Sequence, residues 1–496
     1  CHRDFLFLSM KDESRFLLIF RHNSYKDIEG QYIGLIKIRK DAVKQIKHYY
    51  YDLDQTDIYD GKTFDNIAYL IRNEFIDLID QASSGLHDNL DWWIEGPASR
   101  NYFSSPLFHH CCSLALLEQL ATQEELPKIV YVDSNAFYDV LQIWISGNGI
   151  KMEVRKLPKI GETLLLKFFG CILRPTKSAI KLLFQYAASR NYNEYNKLTK
   201  VSQSLILIDT FVLDEGEGKD RYYPGLWDNL RASDKRRTFF VPEFEKNSIH
   251  ETKKTVCNLN NSTKNYLIKW AFLGIKDYIY AFNHFFRIRK VNLPQCYFRG
   301  LSFKKIIYEE ILTGLNSGMA MKAILNYCFF KKLNQLGVKI ETSVNWFENQ
   351  GIDKGWNRGL HDYFPETKKK GYLGMIISQH YLPMFPTRTE AKAKVLPDTL
   401  YVIGQGLEDP IKEFYQEMKV KTAPAFRFQG VYRQPLKQKN KLSEFTILIT
   451  LYSVMEEALT AINFALDTHL MLENEISIKW KIKPHPLTNK NKLIAS

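Results

Sequence analysis

The chain has 496 residues, of which 45% are hydrophobic and 25% charged, and it carries a formal net charge of +13. That is enough apolar material for two compact domains of a globular protein, and the charge favours anionic partners: nucleic acid, acidic lipid or phosphorylated small molecules. No apolar run reaches membrane-spanning length, and the start, CHRDFLFLSMKDESRF, lacks the apolar core of a signal peptide.

Taken in chain order, Asp52-Leu53-Asp54 has the form of a metal-binding DxD but lies among tyrosines before any clear βαβ unit. His109-His110-Cys111-Cys112 offers four metal-ligand types, yet adjacent helical residues point in different directions and do not close one tetrahedral site. The seven cysteines are scattered without a CxxC pair, which argues against a disulfide framework or a zinc ribbon and fits a reducing cytosol. The first clear unit is KIVYVDSNAFYDVLQIWISGNGIKMEVRK (128–156): a strand, a helix starting near Ser134 or Asn135, a Gly-Asn-Gly stop and a second strand. LLLKFFGCILRPTKSAIKLLFQYAASR (164–190) follows as a basic amphipathic stretch, read either as a helix on an anionic membrane surface or as a helical insertion packed on the sheet.

Further apolar runs predict strands over 204–211, 237–244, 338–344, 371–377, 399–404 and 445–452. Helical patterns lie between them at 263–286, 303–335, 350–362, 409–418 and 453–472. Strands alternating with helices predict an α/β protein with parallel sheets. The polar, basic run VYRQPLKQKNKLSE (431–444) reads as an interdomain linker between a domain over 1–430, with an insertion near 160–200, and a second one over 445–496. The second contains one βαβ unit ending in ISIKWKIKPHP, with about ten residues beyond it, too few for a doubly wound domain of typical size. The expectation is that it is truncated or completed by residues outside this chain. Asn260-Asn261-Ser262 matches a glycosylation acceptor without any mark of secretion, and there is no Walker A or GxGxxG motif.

Three polar clusters fall at strand ends, where open α/β sheets bind ligands. In Lys483-Pro484-His485-Pro486, a histidine and a lysine fixed by the strand and the prolines have the chemistry to grip a phosphate and offset charge on a leaving group; the other reading is a surface turn with a solvated histidine. In NWFENQGIDKGWNRGLHDYFP (345–365), Glu348 stands at a strand-to-helix junction beside Asn349 and Gln350, among Trp346, Phe347 and Trp356. A carboxylate so placed suits a general base, with the amides binding sugar hydroxyls, although a helix N-terminal charge alone would also account for a Glu there. In TLYVIGQGLEDP (399–410), Gly404 and Gly406 allow close approach of a ligand to the backbone, and in KVKTAPAFRFQ (419–429) Arg427 is either a phosphate clamp or a structural arginine.

The Lys-Pro-His-Pro corner at the end of a late strand resembles the His-Pro motif of GT-B glycosyltransferases that use CMP-activated sugars, such as bacterial sialyltransferases and Kdo transferases. DWWIEGPASRNYFSSPLF (91–108), DRYYPGLWDNL (220–230), the 345–365 segment, GYLGMIISQHYLPMFPT (371–387) and KVKTAPAFRFQ extend the likeness to surface-carbohydrate biosynthesis transferases over most of the chain. The resemblance implies a two-domain GT-B enzyme with two Rossmann-like domains. The acceptor would lie on the N-terminal domain, near Trp346, Asn349, Gln350 and Arg221, and the nucleotide sugar mostly on the C-terminal one. His485 would then contact the donor phosphate, with Lys483, Gly404, Gly406 and Arg427 in the donor site. Such sialyltransferases carry their base in an acidic-acidic-Gly motif, which Asp214-Glu215-Gly216 matches, so Glu215 stands as a second candidate base after Glu348.

The expected activity is therefore metal-independent glycosyl transfer, without a cofactor, from a nucleotide sugar (CMP-sugar favoured) to a surface polysaccharide or lipid-linked glycan. The expected location is cytoplasmic or peripheral on the inner membrane face. Two rivals are a CDP-polyol phosphotransferase of cell-surface polymer synthesis, which shares the architecture, and a basic scaffold or nucleic-acid-binding protein. No recognised nucleic-acid module supports the last.

Overall fold

A computed structural model describes residues 5–9, 15–19, 56–58, 61–102, 104–126, 129–132, 134–156, 164–212, 220–246, 248–314, 316–433, 445–451, 455–472 and 477–484. The chain divides into two compact units, 1–429 and 430–496. The first is α/β and contains two large sheets.

The first sheet is five-stranded and mixed: β1 (Phe5–Ser9), β2 (Arg15–Ile19), β3 (Thr56–Ile58), β4 (Ile129–Val132) and β5 (Glu153–Lys156), in the order β3-β1-β2-β4-β5. β1 runs antiparallel to both neighbours, whereas β2, β4 and β5 are parallel, so this sheet departs from the all-parallel expectation. The β4-helix-β5 unit forms for the reasons its sequence gives: Ser134 Oγ accepts from Phe137 N at 3.0 Å to start helix Asn135–Asn148, and Gly149, at φ 64°, ends it.

The second sheet is six-stranded and parallel throughout: β6 (Leu205–Phe211), β7 (Thr238–Glu243), β10 (Ile340–Trp346), β11 (Lys368–Leu373), β12 (Thr399–Val402) and β13 (Val420–Thr422), with a short hairpin, β8 (Tyr297–Phe298) and β9 (Leu301–Ser302), between β7 and β10. Its order is β13-β12-β11-β10-β6-β7. The chain moves from β6 out to the edge at β7, returns to the other side of β6 as β10, and continues outward. The direction therefore reverses between β6 and β10, and the crevice beyond their carboxyl ends is where such a sheet holds a ligand.

Helix packing fixes that crevice. Helix Gly351–Tyr363 carries glycines at 351, 355 and 359, one stripe of the helix, laid mainly against helix Ser317–Gln335. A Cβ on Gly355 would come within 2.1 Å of the Ala323 carbonyl oxygen, and one on Gly359 within 2.9 Å of the Phe330 ring. The stripe thus sets the backbones in contact and holds the helix start at the end of β10. The 164–190 stretch forms one helix, Leu164–Ser189, with Pro175 inside it.

Three helix expectations are corrected. The 303–335 pattern divides at Gly314, φ 61°, into helices Lys304–Thr313 and Ser317–Gln335. Residues 409–418 form no α-helix; two 3-10 turns, Gln405–Leu407 and Pro410–Lys412, occupy the short β12–β13 connection, with Ile411 buried. Residues 263–286 are broken by the 3-10 turn Lys269–Ala271 and Gly274 before helix Ile275–Phe282, and an unanticipated helix, Ile249–Asn260, precedes them behind the Ser248 cap. The 371–377 strand lies earlier, at Lys368–Leu373.

The second unit contains β14 (Phe445–Thr450), helix Met455–Leu472 and β15 (Ile478–Lys483), the two strands parallel from Phe445 opposite Ile478 to Thr450 opposite Lys483. Among the described residues no helix is long and apolar enough to cross a membrane.

Candidate functional site at the carboxyl end of the parallel sheet

β10 ends in Trp346, whose ring packs against Gly374, just past the end of β11. A Cβ on Gly374 would fall 2.3 Å from that ring, so the glycine in the GYLG sequence is what admits the indole. The opposite partner is Tyr222, stacked on Trp346 at 3.9 Å and 11°. Tyr222 is held by a turn in which Asp220 Oδ1 accepts from the backbone N–H groups of Tyr222 and Tyr223 at 3.0 and 2.9 Å. The Arg427 guanidinium, otherwise exposed, sits 5.5 Å from the Trp346 ring centroid.

Beyond the tryptophan the chain turns sharply into the helix. Asn349 adopts a left-handed φ of 54°, a conformation that asparagine tolerates better than most residues. Asp353 caps the helix by accepting from Gln350 N at 3.0 Å and Glu348 N at 3.1 Å. This leaves Glu348 half-buried at the mouth, with Oε1 accepting from Trp346 Nε1 at 2.8 Å and Oε2 from Gln350 Nε2 at 2.7 Å. Gln350 Nε2 also reaches the Tyr381 hydroxyl at 3.2 Å. Each oxygen of a carboxylate has a second lone pair, so Glu348 is oriented by these donors and can still accept another hydrogen bond.

Two further carboxyls lie close behind. Burial pushes Asp209, on β6, up to about 7; Lys269 opposes that shift and Glu243 adds to it. Burial also raises Asp353, and the neighbouring Asp209 and Glu348 raise it further. Burial thus favours the protonated form of both Asp209 and Asp353. Burial, followed by the Glu348 charge, holds the Tyr222 and Tyr381 hydroxyls protonated, so both are donors. At the end of β7, Lys269 Nζ donates to Glu243 Oε2 and to Asn326 Oδ1, each at 2.6 Å. For Glu243, burial opposes ionisation, but Lys269 and Lys322 outweigh it and keep the carboxyl below its usual range.

A buried ionic network anchors the turn from beneath. Glu390, at the start of helix Arg388–Lys392, accepts from Arg100 and Lys354, both at 2.9 Å, and from Asn349 Nδ2 at 3.0 and 3.1 Å. Lys354 Nζ donates to the Ala98 carbonyl as well, at 3.0 Å. Burial lowers Lys354 to about 8; Glu390 opposes the shift and Arg100 adds to it. The network ties three distant segments (96–100, 349–354 and 387–390) into one rigid support.

Among the sequence candidates, Trp346, Glu348, Gln350 and Arg427 come together here, and half-buried Arg221 adjoins the stacked Tyr222. Asn349 is fully buried with its amide on Glu390, so it supports the turn from behind. Gly404 and Gly406 lie just past β12; Gly404 is extended at φ −172°, and a Cβ on either would meet nothing within 4 Å, so internal packing does not require glycine there. Lys483 is exposed at the end of β15 in the second unit. His485 and Glu215 lie outside the described residues. Sequence reasoning missed Asp209, Tyr222 and Glu390; the literal signal for the first was a lone acid in the apolar run SLILIDTF.

Among the described residues no group of three or more His, Cys, Asp or Glu is arranged to hold a metal ion, and His109 to Cys112 are buried within helix Leu107–Thr122. No protein-family model, curated protein or solved structure matches the chain.

Proposed function

We propose that the protein transfers a glycosyl group from a nucleotide-activated sugar, a CMP-sugar favoured, to a hydroxyl of a surface polysaccharide or lipid-linked glycan. The observation that carries this reading is Glu348: an oriented, half-buried carboxylate beside a stacked aromatic pair at the switch point of a parallel sheet. The acceptor O–H proton passes to Glu348, the acceptor oxygen bonds to the anomeric carbon, and the bond from that carbon to the donor phosphate breaks. Lys483 and His485 then offset the charge left on the phosphate, so the step as written uses no metal. Trp346, Gln350 and Arg221 face the acceptor in this scheme, and Arg427, Gly404 and Gly406 the donor. Glu215 remains the alternative base.

A peripheral position on an anionic membrane accords with helix Leu164–Ser189, which exposes Leu173, Ile180 and Leu183 along with Lys177.

The test is calorimetry of the chain with CMP, UDP and GDP, alongside His485→Ala, followed by transfer assays on Glu348→Gln. We expect CMP to bind selectively, more weakly in His485→Ala. Glu348→Gln should bind nucleotide normally but transfer more slowly by roughly 10²- to 10⁴-fold, the usual contribution of a general base. Binding of UDP or GDP instead would change the donor class; a phosphodiester product would mean a polyol-phosphate transferase; no nucleotide binding at all would end the transferase reading.

A further inference from the structure

A second concavity, of about 530 Å³, lies away from the sheet ends, between the 85–91 loop and helices Ile275–Phe282, Ser317–Gln335 and Gly351–Tyr363. Its polar lining includes Asp88, Asp91, Arg358 and Asp362, and Tyr280, Tyr327 and Ile324 also line it; the Arg287 guanidinium lies 4.0 Å from the Tyr280 ring centroid, so one face of that ring is already taken.

Arg358, Asp362 and Asp91 are held in advance. Arg358 Nε donates to Asp362 Oδ2 at 2.9 Å, one terminal nitrogen to the carbonyls of Ala393 and His87 at 3.0 and 3.4 Å, and the other to Asp88 Oδ1 at 3.3 Å. The 85–91 loop is held further by Trp93 Nε1, which donates to the Leu86 carbonyl at 3.0 Å. Asp91 is gripped by Arg287 at 2.8 and 2.9 Å and by His284 Nδ1 at 2.6 Å, and Tyr327 Oη donates to Asp362 at 3.1 Å.

The chemistry of these walls selects a ligand class. Every nitrogen of Arg358 is already committed to protein acceptors, and three carboxylates face the space, so the cleft does not suit a phosphate or carboxylate. Asp91 is balanced by its own cations, which leaves Asp88 and Asp362 against one arginine, a net charge of −1 that disfavours an anion but is far short of what a bound divalent cation requires. A volume in the range of ordinary ligand sites is far larger than a bare cation needs. Carboxylate and hydroxyl groups lining a cleft beside two tyrosines suit a ligand with many hydroxyls and apolar ring faces, which is a carbohydrate.

We propose that this cleft is a glycan-binding site that holds sugar residues of the acceptor remote from the reacting hydroxyl. The proposal rests on the glycosyl-transfer reading for its role, though not for its chemistry. Helix Gly351–Tyr363 joins the two places: Arg358 and Asp362 lie about 10 and 16 Å along its axis from Gly351 at the rise of an α-helix. A chain bound in the cleft would thus be measured against Glu348 by a rigid element.

The experiment is a microarray of bacterial surface oligosaccharides probed with the full chain as wild type, Asp88→Ala and Tyr280→Ala, with thermal midpoints and CMP calorimetry on each. The Asp88 side chain is 90% exposed and Tyr280 48% exposed, so neither change threatens the fold. We expect wild type to bind a defined set of glycans and each variant to bind them at least about tenfold more weakly, the loss of one hydrogen bond to a charged group or of one ring contact, with the midpoint unchanged. Wild type that binds no glycan on the array, or variants that bind as well as wild type, would overturn the proposal. Glycan binding that weakens as expected while CMP fails to bind wild type would uphold the cleft and sink the transfer reading separately.

Discussion

His284 is buried with Nδ1 2.6 Å from Asp91 Oδ1 and Nε2 2.7 Å from Glu95 Oε1. Burial favours the neutral ring, but the two carboxylates outweigh it and raise the imidazole from 6.5 to about 9. A pKa raised on folding stabilises the protein fully below the unfolded value and ceases to do so as pH rises through the folded one. The contribution, roughly 3 kcal/mol, is therefore present below pH 6.5 and lost by pH 9 to 10. Lys354, lowered to about 8, acts in the opposite sense between pH 8 and 10.5, so the wild-type curve alone mixes the two. Urea unfolding of wild type and His284→Gln at pH 6 and pH 10 separates them: the stability gap between the proteins should be large at pH 6 and shrink by several kcal/mol at pH 10. An equal gap at both would show that the ring is neutral. At this scale Glu348 was legible, because its neighbours in sequence are its neighbours in space. Asp209, Tyr222 and Glu390 were not: each meets the site from a separate strand, turn or helix, and pairing across 41 positions, as between Asn349 and Glu390, leaves no local pattern.

The element scale turns on the glycine stripe of helix Gly351–Tyr363. Alanine at an ordinary exposed helical glycine is worth up to about 1 kcal/mol of stability. At Gly355 the added methyl would overlap the Ala323 backbone, and forcing the two helices apart costs about 1–3 kcal/mol, more than the propensity gain. Gly355→Ala should therefore lower the urea midpoint. Gly147→Ala, in helix Asn135–Asn148 with nothing within 4 Å of the new Cβ, should raise it. A Gly355→Ala protein as stable as wild type would show that the helices do not touch as described. The parallel strands were readable as apolar runs, since strands buried on both faces carry little alternation; all six residues of β7 are buried. The stripe went unread because small residues spaced by four in a polar, aromatic segment look like loop composition until the facing backbone is known. At 409–418 a helical spacing gave way to two 3-10 turns in a short connection between β12 and β13.

At the scale of the whole molecule, the buried residues of the three hydrophobic clusters among the described residues lie within 64–418, and the cleft lining and the Glu348 cluster also belong to the first unit. Lys483 and the Lys-Pro-His-Pro corner belong to the second. If the donor phosphate is held by the second unit and the acceptor by the first, the two binding activities are separable by cutting the chain. A protein of residues 1–429 should fold on its own, because it keeps every one of those clusters. It should bind the same glycans as the full chain and lose CMP binding, read by calorimetry on both proteins. Retention of full CMP affinity by 1–429 would place the donor on the parallel sheet, near Gly404 and Arg427, and remove His485 from the mechanism. Sequence composition foretold the alternation that builds that sheet but not the mixed five-stranded sheet before it, whose first strands, FLFLS and RFLLI, are short apolar runs with an antiparallel pairing that no βαβ rhythm announces. If the proposed transfer reading holds, removing residues 430–496 should abolish transfer while leaving glycan affinity unchanged.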